Sequence, residues 1–432
     1  MFTYYLDLAR RSLRRNVALT VLMIVSIAFG VGASMTMLTV LHVLAADPIP
    51  GKSHDLYYVQ LDPEKAASFV PGAEPPDQLT WFDAQALLRI GRADRQAMMT
   101  GGNAPIDPQR PGLEPFFADG RWTSAEFFEM FQVPFVAGGG WRAEDDASAA
   151  RVVVIARSLA DKVFGAIDVV GRSLRVADTD MRIIGVIDTW RPSPHFYDLN
   201  TAPYAKGEQL FLPFSTSREL KLGHAGGMNC WAESPDPQAL GAPCEWIQLW
   251  VELDSKAKVD AYRDVLIRYS DDQRRAARFQ RPTNVRLRDV LAWLHYKEVV
   301  PNDVRLQTWV ALGFLLVCLI NTVGLLLTKF LRRSMEIGVR RALGASKRAI
   351  FIQLLVEAGM VGVAGGILGL GLAWLGLSAV QHQPTAYAEL ARLDLPMLGA
   401  TFALAVVSSM LAGLLPAWRG CQVTPAIQLK SH

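Results

Sequence analysis

The sequence predicts an α-helical membrane protein with four spanning helices and a large α+β domain inserted between helix 1 and helix 2. Three observations predict this class. Four long apolar runs, 17–46, 306–328, 349–380 and 395–418, hold a single Asp, Glu, Lys or Arg between them, Glu357. Each run is long enough to cross a hydrocarbon core of about 30 Å at about 1.5 Å per residue. Basic residues gather at one set of ends of these runs, which fixes their orientation. The long polar stretch between the first two runs carries short alternating apolar segments broken by Gly and Pro, the pattern of mixed strands and helices. Composition agrees: 51% of the 432 residues are hydrophobic, and the mean hydropathy is +0.18. That is high for a soluble protein and low for one entirely in lipid.

Net charge is only +3, so the chain as a whole carries no nucleic-acid signal and no nucleic-acid partner is expected. The basic residues act by position. Residues 1–16 hold Arg10, Arg11, Arg14 and Arg15, which place the N-terminus in the cytoplasm. Residues 17–46 are too long for the apolar core of a secretory signal, about 7–15 residues, and are read as a retained first span. As a helix of roughly 45 Å it exceeds the bilayer core, so its second half, Met35 to Leu44, is expected to project as a stalk.

Residues 47–304 form the domain on the far side. Pro48 and Pro50 end the first helix. Strands are expected over Leu56–Leu61, Gln96–Thr100, Arg151–Ala156 and Trp246–Leu253, with helices over Trp81–Ile90, Ser158–Phe164 and about Lys256–Arg278. Gly171–Val176 and Met181–Ile187 read as a hairpin turning at Asp178-Thr179-Asp180. Trp190 to Gly241 has no pattern and reads as an elaborated loop.

The remaining runs give spans 305–328, 349–380 and 395–418, with a tail over 419–432. Between the second and third, residues 329–348 carry Lys329, Arg332, Arg333, Arg340, Arg341, Lys347 and Arg348. This marks a cytoplasmic loop. Gln381 to Asp394 holds Arg392 against Glu389 and Asp394, as expected on the far side. Both termini then lie inside. Within the basic loop, Ser334 to Ala345 reads as a short amphipathic helix with Met335, Val339, Ala342 and Leu343 on one face. Gly344 is placed to end it in a left-handed turn, and Ser346 to cap the next helix. Such a loop serves either as a topology signal or as a docking helix for a soluble partner. The apolar stripe, and Glu336 set among arginines, point to docking.

The wording R-R-x-x-E-I-G-V-R-R-A-L-G-A-S, followed by Q-L-L-V-E-A, over about thirty residues, resembles the cytoplasmic signature of FtsX-like permeases. These are the membrane subunits of the macrolide-exporter, or MacB-like, class of ABC transporters. In that family the segment is the coupling helix seated in a groove of the ATPase. The resemblance makes Arg333, Glu336, Gly338, Arg340, Arg341, Leu343 and Gly344 the expected ATPase-coupling interface. A second passage, F-x-V-P-F-V-x-G-G-G-W, continuing into V-V-V-I-A-x-S-L-A-x-K-V-F-G, V-G-R-S-L-R-V and R-I-I-G-V-I, resembles the family's periplasmic core. It implies a split subdomain, about 47–115 and 245–304, beside an inserted one, about 116–244. The tail P-A-W-R-G-C-Q-V-T-P-A-I-Q-L-K resembles the family's C-terminus.

The resemblance implies a bacterial inner-membrane protein with an ABC ATPase as partner and a second permease copy, either identical or related. Export of a peptide, antibiotic or small molecule would add a periplasmic adaptor and an outer-membrane channel. Regulation of a cell-wall hydrolase or sensor, or lipoprotein release, uses the same layout. The phosphate-cradling pattern G-x-x-x-x-G-K-[ST] is missing, so ATP and Mg²⁺ are expected on a separate ATPase, with no cofactor in this chain. No catalytic constellation and no metal-ligand set stands out. The acidic run Glu144, Asp145, Asp146 reads as a solvated turn, and the arginines from Arg263 to Arg288 as an exposed face or a ligand-contacting patch.

Glu357 lies within a span, where a carboxylate is expensive and turns toward protein or water. It either braces the loop helix through an arginine or serves substrate or protons. Asn321 is placed to hydrogen-bond across helices. Gly362 with Gly366, Gly365 with Gly369, and Gly30 with Ser34 are small-x-x-x-small pairs, read equally as a dimer seam or as ordinary helix composition. Cys230 and Cys244 lie in the polar domain and, outside the cytoplasm, would close a short disulfide loop. Free thiols, or a metal site with His224, are the alternatives.

Overall fold

The computed structural model describes residues 2–383, 387–392 and 395–422. The chain divides into two compact units, residues 46–299 and the remainder.

Among the described residues, the helical unit holds four helices long and apolar enough to cross a membrane, hereafter the spans: Val17–Leu44, Asn302–Leu331, Lys347–Gln381 and Leu395–Cys421. A separate helix, Phe2–Arg15, precedes them, and the short helix Ser334–Ala342 lies in the loop between the second and third. Glycines set how closely the spans approach. A Cβ on Gly362 would meet Ser409 Cβ at 2.6 Å, and one on Gly365 would meet Ile27 at 2.8 Å. Gly369 faces Ala28 and Val31, and Gly30 faces Leu315 and Cys318. Ser34 donates to the Ala311 carbonyl at 3.0 Å. These small-residue pairs are therefore spent on packing within the chain, which corrects the dimer-seam reading. Asp394, Lys430 and the tail from residue 423 lie outside the described residues.

The α+β unit is built on one sheet of 12 strands. In chain order these are β1 (Leu56–Gln60), β2 (Leu79–Thr80), β3 (Arg95–Asp107), β4 (Phe116–Thr123), β5 (Phe135–Gly138) and β6 (Val152–Ala156). They continue with β7 (Ser173–Val176), β8 (Thr179–Ile187), β9 (Leu210–Pro213), β10 (Asn229–Cys230), β11 (Cys244–Glu252) and β12 (Arg286–Asp289). The main path runs β12-β1-β11-β3-β4-β9-β6-β8-β5, with β2 and β10 on β11, and β7 on β3 and β8. The expected split and inserted portions are thus the two ends of one continuous sheet. They join through the long antiparallel pair β3–β4.

Local chemistry explains the elements. Helix Trp81–Ile90 starts where Thr80 accepts the Asp83 amide and ends at Gly91 in the left-handed region. Strand β3 extends well beyond the expected Gln96–Thr100 because Gly101, Gly102 and Pro105 hide it from the alternation rule. A Cβ on Gly102 would lie 2.2 Å from Trp122 Nε1, and Gly120, its partner in register, also borders that ring. The glycines make room for an indole that is fully buried and donates to the Gly223 carbonyl at 2.9 Å.

The hairpin turns at Ala177-Asp178, not at residues 178–180. Val176 pairs with Thr179, and both turn residues have positive φ, 45° and 63°, as a two-residue turn requires. Strand β9 and the helix Phe214–Glu219 lie inside the stretch expected to be patternless. β9 is short and fully buried, so it shows no alternation, yet it bridges β4 and β6.

A buried ionic cluster pins this segment to the sheet. Arg121 meets Asp198 at 2.8 Å and donates to Glu208 at 2.9 Å, and the Tyr197 hydroxyl donates to Glu208 at 2.6 Å. Burial alone would raise the Glu208 carboxyl, but Arg121 overrides it and holds that group well below the usual range. His195 sits 3.5 Å from Glu208, inside the cluster.

Candidate functional site

The site begins with the loop after the second span. Arg333 opens the helix Ser334–Ala342, and Leu343 closes it. Gly344 follows at φ 100°. Its amide donates to the Arg341 carbonyl at 3.1 Å, and the Ala345 amide donates to the Arg340 carbonyl at 3.0 Å. Only glycine takes that conformation without strain. Ser346 then accepts the Ala349 amide at 3.2 Å and starts the third span. Each of these turns was expected from the sequence, although the helix is shorter than Ser334–Ala345.

One face of this helix is anchored to the bundle. Glu336 binds Arg340 at 2.9 Å and Arg333 at 3.2 Å, and Arg15 comes within 3.6 Å. Arg340 also donates to Gln353 at 3.2 Å, and Arg341 to the Cys421 carbonyl at 3.4 Å. Ile337 and Gly338 are buried. Gly338 therefore offers no surface for a partner, which corrects its place in the expected interface.

The other face is open. Met335 is 57%, Val339 52% and Leu343 83% exposed. These are three of the four residues assigned to the apolar face, and Ala342 is exposed beside them. Exposing large apolar side chains is unfavourable by about 25 cal/mol per Å², and a contiguous exposed patch marks a surface built to be covered.

Beneath the helix lies the brace. Lys329 and Glu357 are both fully buried and 2.7 Å apart. Arg333 Nη1 reaches Glu357 at 3.4 Å and donates to Ser12 Oγ at 2.5 Å. Ser12 in turn donates to Glu357 Oε1. One carboxylate thus ties together the first helix, the second span, the start of the loop helix and the third span. The arginine expected to pair with Glu357 is Arg333. Lys329 as the closest cation and Ser12 as a donor were not expected. The signal was available for Lys329, which lies 28 residues from Glu357 at the facing end of the preceding apolar run.

The other singled-out residues fall elsewhere. Asn321 is exposed, with its amide 3.5 Å from Ser26 Oγ. Cys230 and Cys244 are joined by a disulfide, so His224 has no cysteine thiolate to share a metal with. Among the described residues no group of three or more His, Cys, Asp and Glu is placed to hold a metal ion. The arginines of the 263–288 region divide. Arg278 binds the buried Asp83, Arg281 binds Asp62 at 3.0 Å, and Arg286 and Arg288 bind Glu74 at 2.8 and 2.7 Å. Arg263, Arg268, Arg274 and Arg275 lie on the exposed face of their helix, as expected, whereas Arg278, Arg281, Arg286 and Arg288 are engaged in these ion pairs. Asp146 corrects the solvated-turn reading. It is half-buried, accepts the Ala125 amide at 2.8 Å, and burial pushes its carboxyl up to about 7.

Four long apolar helices, a braced basic loop and an inserted α+β unit define a multi-pass membrane protein of the permease class. The chain belongs to the family of the MacB-like periplasmic core domain, whose model matches residues 20–269. The FtsX-like permease C-terminal model matches residues 309–425.

Among relatives, the chain is 24% identical to the pyoverdine export ATP-binding/permease protein PvdT of Pseudomonas putida, over 83% of this chain and 49% of the relative. It is 23% identical to the macrolide export ATP-binding/permease protein MacB of Wolinella succinogenes, over 99% of this chain and 60% of the relative. The chain therefore spans about half the length of these relatives. Among solved structures, the periplasmic region of MacB from Actinobacillus actinomycetemcomitans aligns with 58% of this chain and 95% of that one. That alignment has 12% identity and a TM-score of 0.37, a loose overlay.

Proposed function

We propose that this chain is the transmission subunit of an ABC transporter, coupling ATP hydrolysis to motion of its α+β unit. The observation that carries this reading is the open apolar face of Met335, Val339 and Leu343, on a helix whose opposite face is tied to the bundle. A helix braced on one side and bare on the other passes a push from its partner into the spans. Glu336, Arg333, Arg340 and Arg341 then act as the fastening, and Met335, Val339 and Leu343 as the contact.

The partner is an ABC ATPase, as domain or subunit, that binds ATP and Mg²⁺. These 432 residues contain no phosphate-cradling motif. A second permease copy, identical or related, completes the assembly. The chain crosses a bacterial inner membrane with both termini and the basic loop in the cytoplasm, on the strength of its arginine distribution. The α+β unit then lies in the periplasm, where the Cys230–Cys244 disulfide is stable. The two covalent routes for motion are the end of the first span and the segment Asp289–Gln307.

Export is the favoured task, supported by relatives named for pyoverdine and macrolide export. A periplasmic adaptor and an outer-membrane channel would complete it. The test is a mild-detergent pull-down of the tagged chain with mass spectrometry. A stoichiometric ATPase is expected, with an adaptor alongside. Recovery of the chain without any ATPase, even after cross-linking at Val339, overturns the reading.

A further inference from the structure

The α+β unit contains a cleft of about 420 Å³, bordered by β10–β11, the segment Glu74–Gln78 and the loop after β1. Four carboxylates line it: Glu64, Glu74, Asp77 and Glu245. Three of them are matched by cations. Arg281 holds Glu64 at 2.5 Å and Asp62 at 3.0 Å, and its other donors go to the Lys65 and Ser68 carbonyls. Arg286 and Arg288 hold Glu74, and Lys297 holds Asp77.

Glu245 differs. It sits on β11 in register with Asn229 on one side and Thr80 on the other, and it is 1% exposed. Among the described residues it has no ion pair. Its Oε2 accepts from the Asn229 amide at 3.1 Å. That amide also donates to Glu64 at 2.9 Å, so both its hydrogens are used. Glu245 Oε1 meets no donor among the described residues. A buried acceptor left unpaired in a low-dielectric site is costly and rare in folded proteins.

We infer that this cleft binds an organic cation carrying a protonated primary amine, whose ammonium donates to Glu245 Oε1. An ammonium brings three donors and no acceptor, which suits a wall of carboxylates whose own cations are spent. A metal ion fits poorly, because no group of three or more ligand side chains converges among the described residues. Pro76 and Met228 also line the cleft and give an alkyl stem an apolar surface. The volume lies within the usual small-molecule range of about 300–1,000 Å³.

The electrostatics bear on the same group. Burial pushes the Glu245 carboxyl well above its ordinary range. Asn229 and Arg281 oppose this, and Glu64 and Asp62 reinforce it. Of the charged groups around it, Asp62, Glu64, Glu74, Asp77 and Arg281 are all held in ion pairs. Glu245 is therefore the group whose ionised form a bound ammonium would stabilise.

The test is calorimetric titration of the full chain in detergent with cadaverine, using 1-pentanol as the neutral control. Saturable cadaverine binding is expected, and none for pentanol. Glu245→Gln should weaken binding by at least about tenfold, the loss of one charged hydrogen bond, with an unchanged circular dichroism spectrum. Failure to saturate, equal binding of pentanol, or unchanged affinity in Glu245→Gln overturns the proposal. If that variant does not fold, the wild-type titration decides, since failure to saturate or equal binding of pentanol also overturns it. The result is independent of the loop helix and of any ATPase.

Discussion

Replacing Glu357 by Gln should damage the protein far more than one lost hydrogen bond. The carboxylate and Lys329 Nζ are 2.7 Å apart, both fully buried. With a neutral amide at 357, Lys329 keeps Thr20 Oγ1 at 3.4 Å and has lost its counter-charge. Breaking one half of a buried pair costs about 3–5 kcal/mol, a large share of a typical stability of about 5–15 kcal/mol. Arg333 suffers less, because Glu336 remains at 3.2 Å. The double variant Lys329→Met with Glu357→Leu removes both charges and fills the space with apolar groups, which is often close to neutral. The two changes should therefore couple by at least about 2 kcal/mol. The assay is unfolding of the chain in detergent micelles titrated with dodecyl sulfate, followed by circular dichroism. Strictly additive single variants, or a Glu357→Gln loss within about 0.5 kcal/mol, would refute the brace. Transport by the folded double variant would further exclude a proton-carrying role for Glu357.

Leu343→Asp places a charge on the most exposed apolar residue of the loop helix, so folding should be unaffected while ATP turnover no longer drives transport in proteoliposomes. Gly102→Ala forces a Cβ to within 2.2 Å of the Trp122 ring nitrogen, and overpacking of this kind costs about 1–3 kcal/mol, read as a lower thermal midpoint. Cys230→Ser with Cys244→Ser opens a loop whose ends are 14 residues apart and should cost about 3 kcal/mol, matched in the wild type by reduction with dithiothreitol. Asp146 has its carboxyl raised from 3.8 to about 7 in the folded chain, so its stability contribution is present below pH 4 and lost as pH rises through 7. Asp146→Asn should flatten that part of the profile of thermal midpoint against pH.

The spans were legible because a long charge-free run, in a chain of this composition, fits little besides a membrane crossing. Their end signals, Gly344 and Ser346, follow local rules and fell where expected. The soluble unit was legible where strands alternate or helices are capped, as at Thr80 and Gly91. It was hidden where a large side chain in the neighbouring strand needs glycines opposite, as Trp122 does at Gly102 and Gly120. It was also hidden where a central strand is too short to show a period, as in β9. The brace was half legible. An acid inside a span announces itself, but which cation answers it depends on how two spans pack. Glu245 gave no signal, because a glutamate in a strand looks ordinary until its neighbours prove to be committed elsewhere.

The central claim is that the open face of the loop helix is a docking surface. The direct measurement is photo-cross-linking in cells, with a benzophenone side chain placed in turn at positions 335, 339, 343 and 337. Adducts with an ATP-binding polypeptide from 335, 339 and 343, and none from the buried position 337, are the predicted result. Adducts that form equally from 337, or no protein adducts from the three exposed positions, would contradict the account.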